Sequence, residues 1–370
     1  MANVAGLDAF KQIHDTIKKA TGKKLKVGII GTGWIAESHA DGYLKMDDVE
    51  IVALADLIPG KAEAFMKKFG VEGVRFYPSH KEMIDAEQLD AVSVCTWNSA
   101  HAPCTIAALN AGKHVLCEKP MATNIEDCER MVAAARQYGK ALMIGQNQRF
   151  ALAHAEAHRL IKEGAIGSVV SFRTTFGHSG PETWSITPGP GTWFFDKKAA
   201  VMGVLADLGI HKTDLIQYIL DDTITAVTAK ISTIDKKYAD GSPIGVDDNA
   251  ICIFEMAGGA VGTMTASWTF YGQEDNSTII YGTNGIIRIY DDPACSLKLI
   301  GRDGSVKMID IDRIQTNDNQ TKSGVMDAFV DALERGEQPP VSGEEVLTAM
   351  RAIFGALDSS EKGCRVEVNR

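Results

Sequence analysis

Leu25-Lys26-Val27-Gly28-Ile29-Ile30-Gly31-Thr32-Gly33-Trp34-Ile35-Ala36 is the stretch whose reading decides the fold. Residues 26–30 form a short apolar run of strand type, and a helical pattern begins near residue 35 and continues to residue 44. Between them, Gly31 permits a tight turn, Gly33 lets a bulky anion approach the backbone, and Ala36 keeps the third position small where helix and strand pack. A helix that opens this way points free N–H groups and a partial positive charge at a phosphate. Gly31, Thr32, Gly33, Trp34 and Ile35 are therefore candidates for binding the pyrophosphate of a dinucleotide. Asp56 follows a second apolar run at 49–55, about 20 residues on, where a carboxylate accepts from the ribose hydroxyls. That carboxylate repels a 2′-phosphate, and the next residue is Leu57, with no arginine nearby. NAD is favoured over NADP.

Outward from this stretch, strand and helix patterns alternate to about residue 146. Strands are expected at 91–96, 114–118 and 141–144, with helices at 61–69, 102–111 and 125–138. Ser79 with Glu82, and Thr123 with Glu126, read as capping boxes, while Gly112 and Gly139 sit where helices stop. Short apolar strands separated by helices imply a parallel sheet covered on both faces. The pattern changes after Phe150. A helix at 151–162 leads into a strand at 169–176 and a Gly/Pro-rich loop at 177–192. Later strands are separated by Gly258-Gly259, Asn284-Gly285 and Asp303-Gly304, the chemistry of tight antiparallel turns. A closing helix has a box at Ser342 and Glu345 and an apolar face of Val346, Met350, Ile353, Phe354 and Leu357. The expected architecture is α/β: an N-terminal helical extension at 1–23, a Rossmann dinucleotide-binding domain at 24–147, and an α+β domain at 148–370 with an open, mostly antiparallel sheet.

The chain has 370 residues, 45% hydrophobic and 23% charged, enough for two cores. A formal charge of −10 argues against nucleic acid or an anionic membrane as partner. No apolar run approaches the roughly 20 residues that span a bilayer. The first 21 residues place Leu7, Phe10, Ile13 and Ile17 at helical spacing among charges, unlike a secretory signal. Seven cysteines without CxxC spacing read as reduced thiols of a cytoplasmic protein, with no metal site.

A second feature carries the chemistry. Asp207, His211, Asp214 and Tyr218 stand at offsets of four, seven and eleven within the apolar run Val204, Leu205, Leu208, Leu215, Ile216, Ile219, Leu220. At 3.6 residues per turn they share one face of a buried helix, tolerable where the stripe is hydrogen-bonded or lines a cleft. Removing a hydroxyl proton as hydride leaves needs a base near neutrality, which histidine supplies. His211 is the candidate base, Asp207 the residue expected to fix its tautomer, and Lys119 a donor to the reacting oxygen. Thr96, Trp97, Asn98 and His101 follow the carboxyl end of a strand, where ligands bind such sheets, although His101 and His39 read first as structural. Asn147 and Arg149 lie at the domain junction, with Gln146 and Gln148. Trp184 and Trp193 suggest aromatic cover for a sugar ring.

The blocks at residues 31–40, Cys95-Thr96-Trp97-Asn98, Glu118-Lys119-Pro120 and Asp207-Leu208-Gly209-Ile210-His211 resemble the glucose–fructose oxidoreductase/inositol dehydrogenase (Gfo/Idh/MocA) family over about residues 24 to 365. Trp97 departs from it, since members commonly have proline there. The resemblance implies oxidation of a secondary alcohol of a sugar, glycoside or cyclitol, and assembly into homodimers or homotetramers. It gives Lys119, Asp207 and His211 the catalytic roles above, places Glu118 at the cofactor, and makes Asp214 a contact to a substrate hydroxyl. Arg149 and Trp193 join the expected substrate contacts. Two further functions remain open: NAD-dependent cleavage of a glycoside through transient oxidation and elimination, and non-catalytic NAD sensing.

Overall fold

The computed structural model describes residues 24–314 and 323–368; the helix expected within 1–23 lies outside the described residues. The first half runs β1 (Leu25–Ile30), α1 (Trp34–Leu44), β2 (Val49–Ala55), α2 (Lys61–Lys67), β3 (Arg75–Tyr77), α3 (His80–Ala86), β4 (Ala91–Val94), α4 (His101–Asn110), β5 (His114–Cys117), α5 (Ile125–Tyr138) and β6 (Leu142–Ile144). Its strands pair in parallel, in the order β3-β2-β1-β4-β5-β6. The chain leaves β1 in opposite directions toward β2 and β4, which opens a crevice at their carboxyl ends. β4 and β6 are buried throughout because helices cover both faces, which is why these segments are uninterrupted apolar runs. The strand β3 escapes a reading by hydrophobicity, because its arginine and tyrosine point outward at the sheet edge.

Local chemistry sets the helix ends. Ser79 accepts from the Glu82 N–H (3.2 Å), and Ser342 from that of Glu345 (3.3 Å). At α5 the expected box is displaced by one residue. Asn124, rather than Thr123, is the cap, accepting from Asp127 N–H at 2.8 Å and donating to the Asp127 carboxylate at 2.9 Å.

The second half contains α6 (Leu152–Lys162), β7 (Val169–Gly177), α7 (Ile210–Leu220), β8 (Ile224–Ser232), β9 (Asn249–Met256), β10 (Val261–Ser267), β11 (Thr278–Gly282), β12 (Gly285–Asp292), β13 (Cys295–Gly301), β14 (Val306–Ile309), α8 (Val325–Arg335), α9 (Gly343–Lys362) and β15 (Val366–Glu367). Its sheet has the order β14-β13-β12-β11-β7-β10-β9-β8-β15. The pairings are antiparallel except β7 with β10, which is parallel. The three glycine-containing turns join β9 to β10, β11 to β12 and β13 to β14. Along β9, buried Cys252 and Phe254 alternate with exposed Ile251 and Ile253, so one face meets the helices and the other is open.

Helix α9 packs on β8 and α7, and also on α5, and Ile144 N–H donates to Val341 C=O at 3.0 Å. The two sheets are thereby held together behind the crevice. Among the described residues no helix is long and apolar enough to cross a membrane. Six cysteines are buried and Cys364 is exposed, none in a disulfide.

Candidate active site

A cleft of about 910 Å³ lies between the carboxyl ends of β1, β4 and β5 and the loops of the second sheet. Residues 31–35, Asp56, Thr96, Trp97, Asn98, His101, Glu118, Lys119 and Asn147 line it from one side. His178, Trp184, Trp193, Asp207 and His211 line it from the other.

The turn after β1 is built for close approach. Gly31 has φ +85°, and a Cβ there would fall 2.5 Å from Cys95 C=O. Gly33 caps α1 without any side-chain hydrogen bond, leaving the first N–H groups of the helix to a ligand. Asp56 Oδ2 accepts from Thr32 N–H (3.0 Å) and Thr32 Oγ1 (2.6 Å), and Oδ1 from Ile58 N–H (2.9 Å). Burial works against its charge, but these bonds and Lys61 outweigh it and hold the carboxyl below its ordinary value. Lys61 Nζ lies 3.4 Å from Asp56, so a cation stands beside the ribose carboxylate although no arginine does.

Several of the expected cofactor residues also brace the cleft that they line. His101 bridges Pro120 C=O (2.7 Å) and Thr96 C=O (3.1 Å), tying two cleft loops together. Asn98 donates to Ala200 C=O at 3.0 Å. Glu118 is buried, bonded to His39 Nε2 at 2.9 Å, and His39 continues to Ser93 and Ser93 to Tyr43. Burial opposes charge on Glu118, yet the His39 bond, with Lys119 and His101 near, holds its carboxyl low. Trp97 is half exposed at the rim, where an indole replaces the proline common in the family. Asn147 Oδ1 is buried with no partner among the described residues, an acceptor available to a carboxamide. The glycine cradle, the uncapped helix, Asp56 and this amide fit a nicotinamide dinucleotide.

The reacting groups come from both halves. Lys119, just past β5, donates to Asp207 Oδ1 (2.8 Å) and to Asp207 C=O (3.1 Å). Asp207 Oδ2 accepts from Trp268 Nε1 at 3.1 Å. Burial alone would raise the Asp207 pKa; the charge of Lys119 and the hydrogen bonds from Lys119 and Trp268 hold it down. The expectation that Asp207 orients His211 is corrected here, since both its oxygens are engaged elsewhere. Asp207 stands in a π-turn over Leu205–Gly209, which precedes α7. Such turns recur at functional sites. His211 lines the cleft, and its imidazole Nδ1 is buried with no partner among the described residues. Burial, and then Lys119 and Lys212, push its pKa well below the ordinary value against the pull of Asp207, so the ring is neutral.

The polar stripe divides. Asp214 is held bidentately by Arg149, at 2.7 Å from Nε and 2.6 Å from Nη2, and Arg149 also reaches Glu345 at 2.8 Å. The Arg149 guanidinium lies 5.3 Å over the Tyr218 ring. Arg149 and Asp214, expected as substrate contacts, are not among the residues that line the cleft. A buried carboxylate opposite a fork-shaped cation satisfies itself. Trp193 does line the cleft, stacked on Phe194 at 4.0 Å.

Four groups at the site lack a sequence signal strong enough to single them out: Trp268, His178, Lys61 and Lys212. Trp268 and His178 each follow a strand end, at β10 and β7, and only pairing those strands brings them to Asp207. Among the described residues no group of three His, Cys, Asp or Glu could hold a metal ion.

Comparison with known proteins accords with this geometry. Residues 25–146 match the model of the Gfo/Idh/MocA oxidoreductase family with an NAD-binding Rossmann fold, and residues 154–288 match the GFO/IDH/MocA C-terminal domain. The chain belongs to the Gfo/Idh/MocA oxidoreductase family. It is 32% identical over 292 residues to levoglucosan dehydrogenase of Pseudarthrobacter phenanthrenivorans, covering 72% of this chain and 73% of that one. It is 26% identical over 344 residues to myo-inositol 2-dehydrogenase of Thermotoga maritima, covering 91% and 97%. A solved structure of levoglucosan dehydrogenase with NADH and levoglucosan superposes with a TM-score of 0.84 at 26% identity, covering 94% of this chain and 100% of that one. As a Gfo/Idh/MocA protein, this chain carries an NAD-binding Rossmann domain at its amino-terminal half.

Proposed function

We propose that this protein is an NAD-dependent dehydrogenase acting on a secondary alcohol of a sugar, glycoside or cyclitol, with Lys119, Asp207 and His211 at the reacting carbon. The observation that carries the reading is the ammonium of Lys119, fixed 2.8 Å from a buried carboxylate in the cleft that neutral His211 also lines. His211 takes the hydroxyl proton. Lys119 donates to the same oxygen and stabilises its developing negative charge, an effect that removal of a single donor typically reveals as roughly 10²–10³-fold in kcat. Asp207 keeps the ammonium aimed. A dinucleotide with its pyrophosphate on residues 31–35 would supply a nicotinamide as hydride acceptor. Asp56 supports NAD over NADP, although Lys61 beside it narrows the preference.

The relatives named for levoglucosan and myo-inositol support the substrate class. A domain division at 147/148 is supported by the gap between the two matched regions, residues 25–146 and 154–288. The open sheet face carrying Ile251, Ile253 and Val261 supports a homodimer or homotetramer.

Purified protein is tested with NAD and a panel of sugars, glycosides and cyclitols, following nicotinamide reduction and product mass together. Net NADH with an intact carbon skeleton is expected. His211→Ala should lower kcat by roughly 10²–10⁴ while NAD still binds; near-normal turnover removes His211 from the mechanism. Aglycone release without net reduction would replace the proposal by glycoside cleavage. A triple variant at Lys119, Asp207 and His211 that keeps its biological role would replace it by NAD sensing.

A further inference from the structure

The loop between β7 and Trp193 brings two N–H groups to the cleft that the chemistry above does not use. His178 is 7% exposed, and its Nδ1 accepts from Gly180 N–H at 3.0 Å. An accepting Nδ1 carries a lone pair, so in the neutral ring the proton sits on Nε2. Burial keeps the ring neutral, with Lys119 and Lys236 adding to it against Asp207. Nε2 is buried and has no partner among the described residues. The same is true of Trp184 Nε1, which is a donor only. The two rings meet edge to face at 6.2 Å and both line the cleft.

Their setting is rigid. The Trp184 ring packs against Phe194 at 5.3 Å and against Trp34 of the dinucleotide turn at 5.5 Å. The Phe176 ring lies between the two imidazoles, 5.9 Å from His178 and 6.1 Å from His211. Lys236 clamps the loop from behind, donating to Ser179 C=O at 2.6 Å and to Glu182. A buried N–H without an acceptor costs free energy, and a fixed pair of them beside a reacting centre is a site for oxygen.

We infer that His178 Nε2 and Trp184 Nε1 form a two-donor subsite that accepts the oxygens of the substrate on carbons other than the one oxidised, and so set specificity for a polyhydroxylated ring. The inference rests on the dehydrogenase reading and deepens it. Two donors with no acceptor between them favour hydroxyl, ring or glycosidic oxygens. The aromatic wall formed with Trp193 and Phe194 covers the apolar face of the same ring. His178 and Trp184 are specificity residues here, and the proton of the reacting hydroxyl stays with His211.

The test compares wild type with His178→Asn, His178→Gln and Trp184→Phe on levoglucosan, myo-inositol, methyl β-D-glucopyranoside and the monodeoxy derivatives of that glucoside, with NADH affinity followed by fluorescence. Asparagine keeps an acceptor for Gly180 N–H near the Nδ1 position but cannot reach the Nε2 position. Glutamine does the reverse. His178→Asn and Trp184→Phe should each raise KM about tenfold with kcat within about threefold and NADH affinity unchanged, and His178→Gln should restore much of the loss. For one deoxy sugar the wild type should lose about tenfold in kcat/KM and His178→Asn nothing further. A His178→Asn enzyme with normal KM, or equal deoxy penalties in wild type and variant, overturns the subsite while leaving the dehydrogenase standing. A wild-type enzyme that neither binds nor oxidises any of these sugars removes both.

Discussion

Asp207→Asn tests the most consequential hydrogen bonds in the molecule. The carboxylate accepts from Lys119 on one oxygen and from Trp268 on the other, and its side chain is 8% exposed against 20% for Lys119. An asparagine can keep its oxygen toward only one of these donors. If it faces Lys119, its NH₂ opposes the indole N–H; if it turns over, two donors meet at the ammonium. Breaking a buried ion pair from one side costs roughly 3–5 kcal/mol, and a lost hydrogen bond to a charged group accounts for about 1.5–3 of it. At a urea slope of about 3 kcal/mol per M, the unfolding midpoint should fall by about 1 M or more. Trp268→Phe removes the opposing donor, so the double variant should lie about 1–2 kcal/mol above the sum of the single changes. The assay is urea denaturation of the four proteins by circular dichroism, with kcat measured alongside; Asp207→Asn should lower kcat about 10²-fold, because Lys119 loses its aim. Additivity within about 0.5 kcal/mol would refute the assignment of Asp207 to Lys119 and Trp268.

Further outcomes follow from the cofactor turn and the buried histidines. Asp56→Ala should weaken NADH roughly 10–100-fold and strengthen NADPH, because Lys61 is left to meet the phosphate; fluorescence titration showing an unchanged ratio would remove Asp56 from cofactor choice. Gly31→Ala, at φ +85° and 2.5 Å from a carbonyl oxygen, should cost more than about 2 kcal/mol and abolish NADH binding; normal affinity would show that the turn has room. His154, buried and pushed down to about 3, and His211, also pushed down, bind their protons in the unfolded chain first. Their contribution is complete above the unfolded pKa near 6.5 and is lost as pH falls below it, at about 1.4 kcal/mol per pH unit for each ring. His154→Asn should flatten the pH dependence of the urea midpoint between pH 6.5 and 5; an equal slope counts against a neutral buried ring.

Much of this was legible without coordinates, for identifiable reasons. The parallel sheet announces itself because strands buried on both faces must be apolar throughout, and the glycine turn because only glycine fits at Gly31. Lys119 and His211 are readable as partners at one reacting oxygen, but the ion pair between Lys119 and Asp207 is not. The positions of Asp207 and Asp214 show why. A helical wheel assumes 3.6 residues per turn throughout, and the π-turn at Leu205–Gly209 breaks that assumption ahead of His211. Asp214 looked free because its partner Arg149 lies 65 positions away. His178 and Trp184 sit in an irregular loop, where no period marks which side chains face inward. Trp268 reaches Asp207 only through the parallel pairing of β7 and β10, a long-range event.

The widened turn at residues 205–209 has a consequence for how this segment tolerates insertion and deletion. The π-turn already absorbs one extra residue, so losing one there would let a regular α-helix form with everything beyond left nearly in place, whereas gaining one would rotate everything beyond by about 100° about the axis. In that event His211 would leave the cavity wall, and the Arg149–Asp214 clasp would have to open with it. Growth of this helix is therefore opposed at two points at once, by an ion pair outside the cleft and an imidazole inside it. Loops elsewhere can grow or shrink one residue at a time; this stretch can shed its extra residue but can grow only together with both of its anchors.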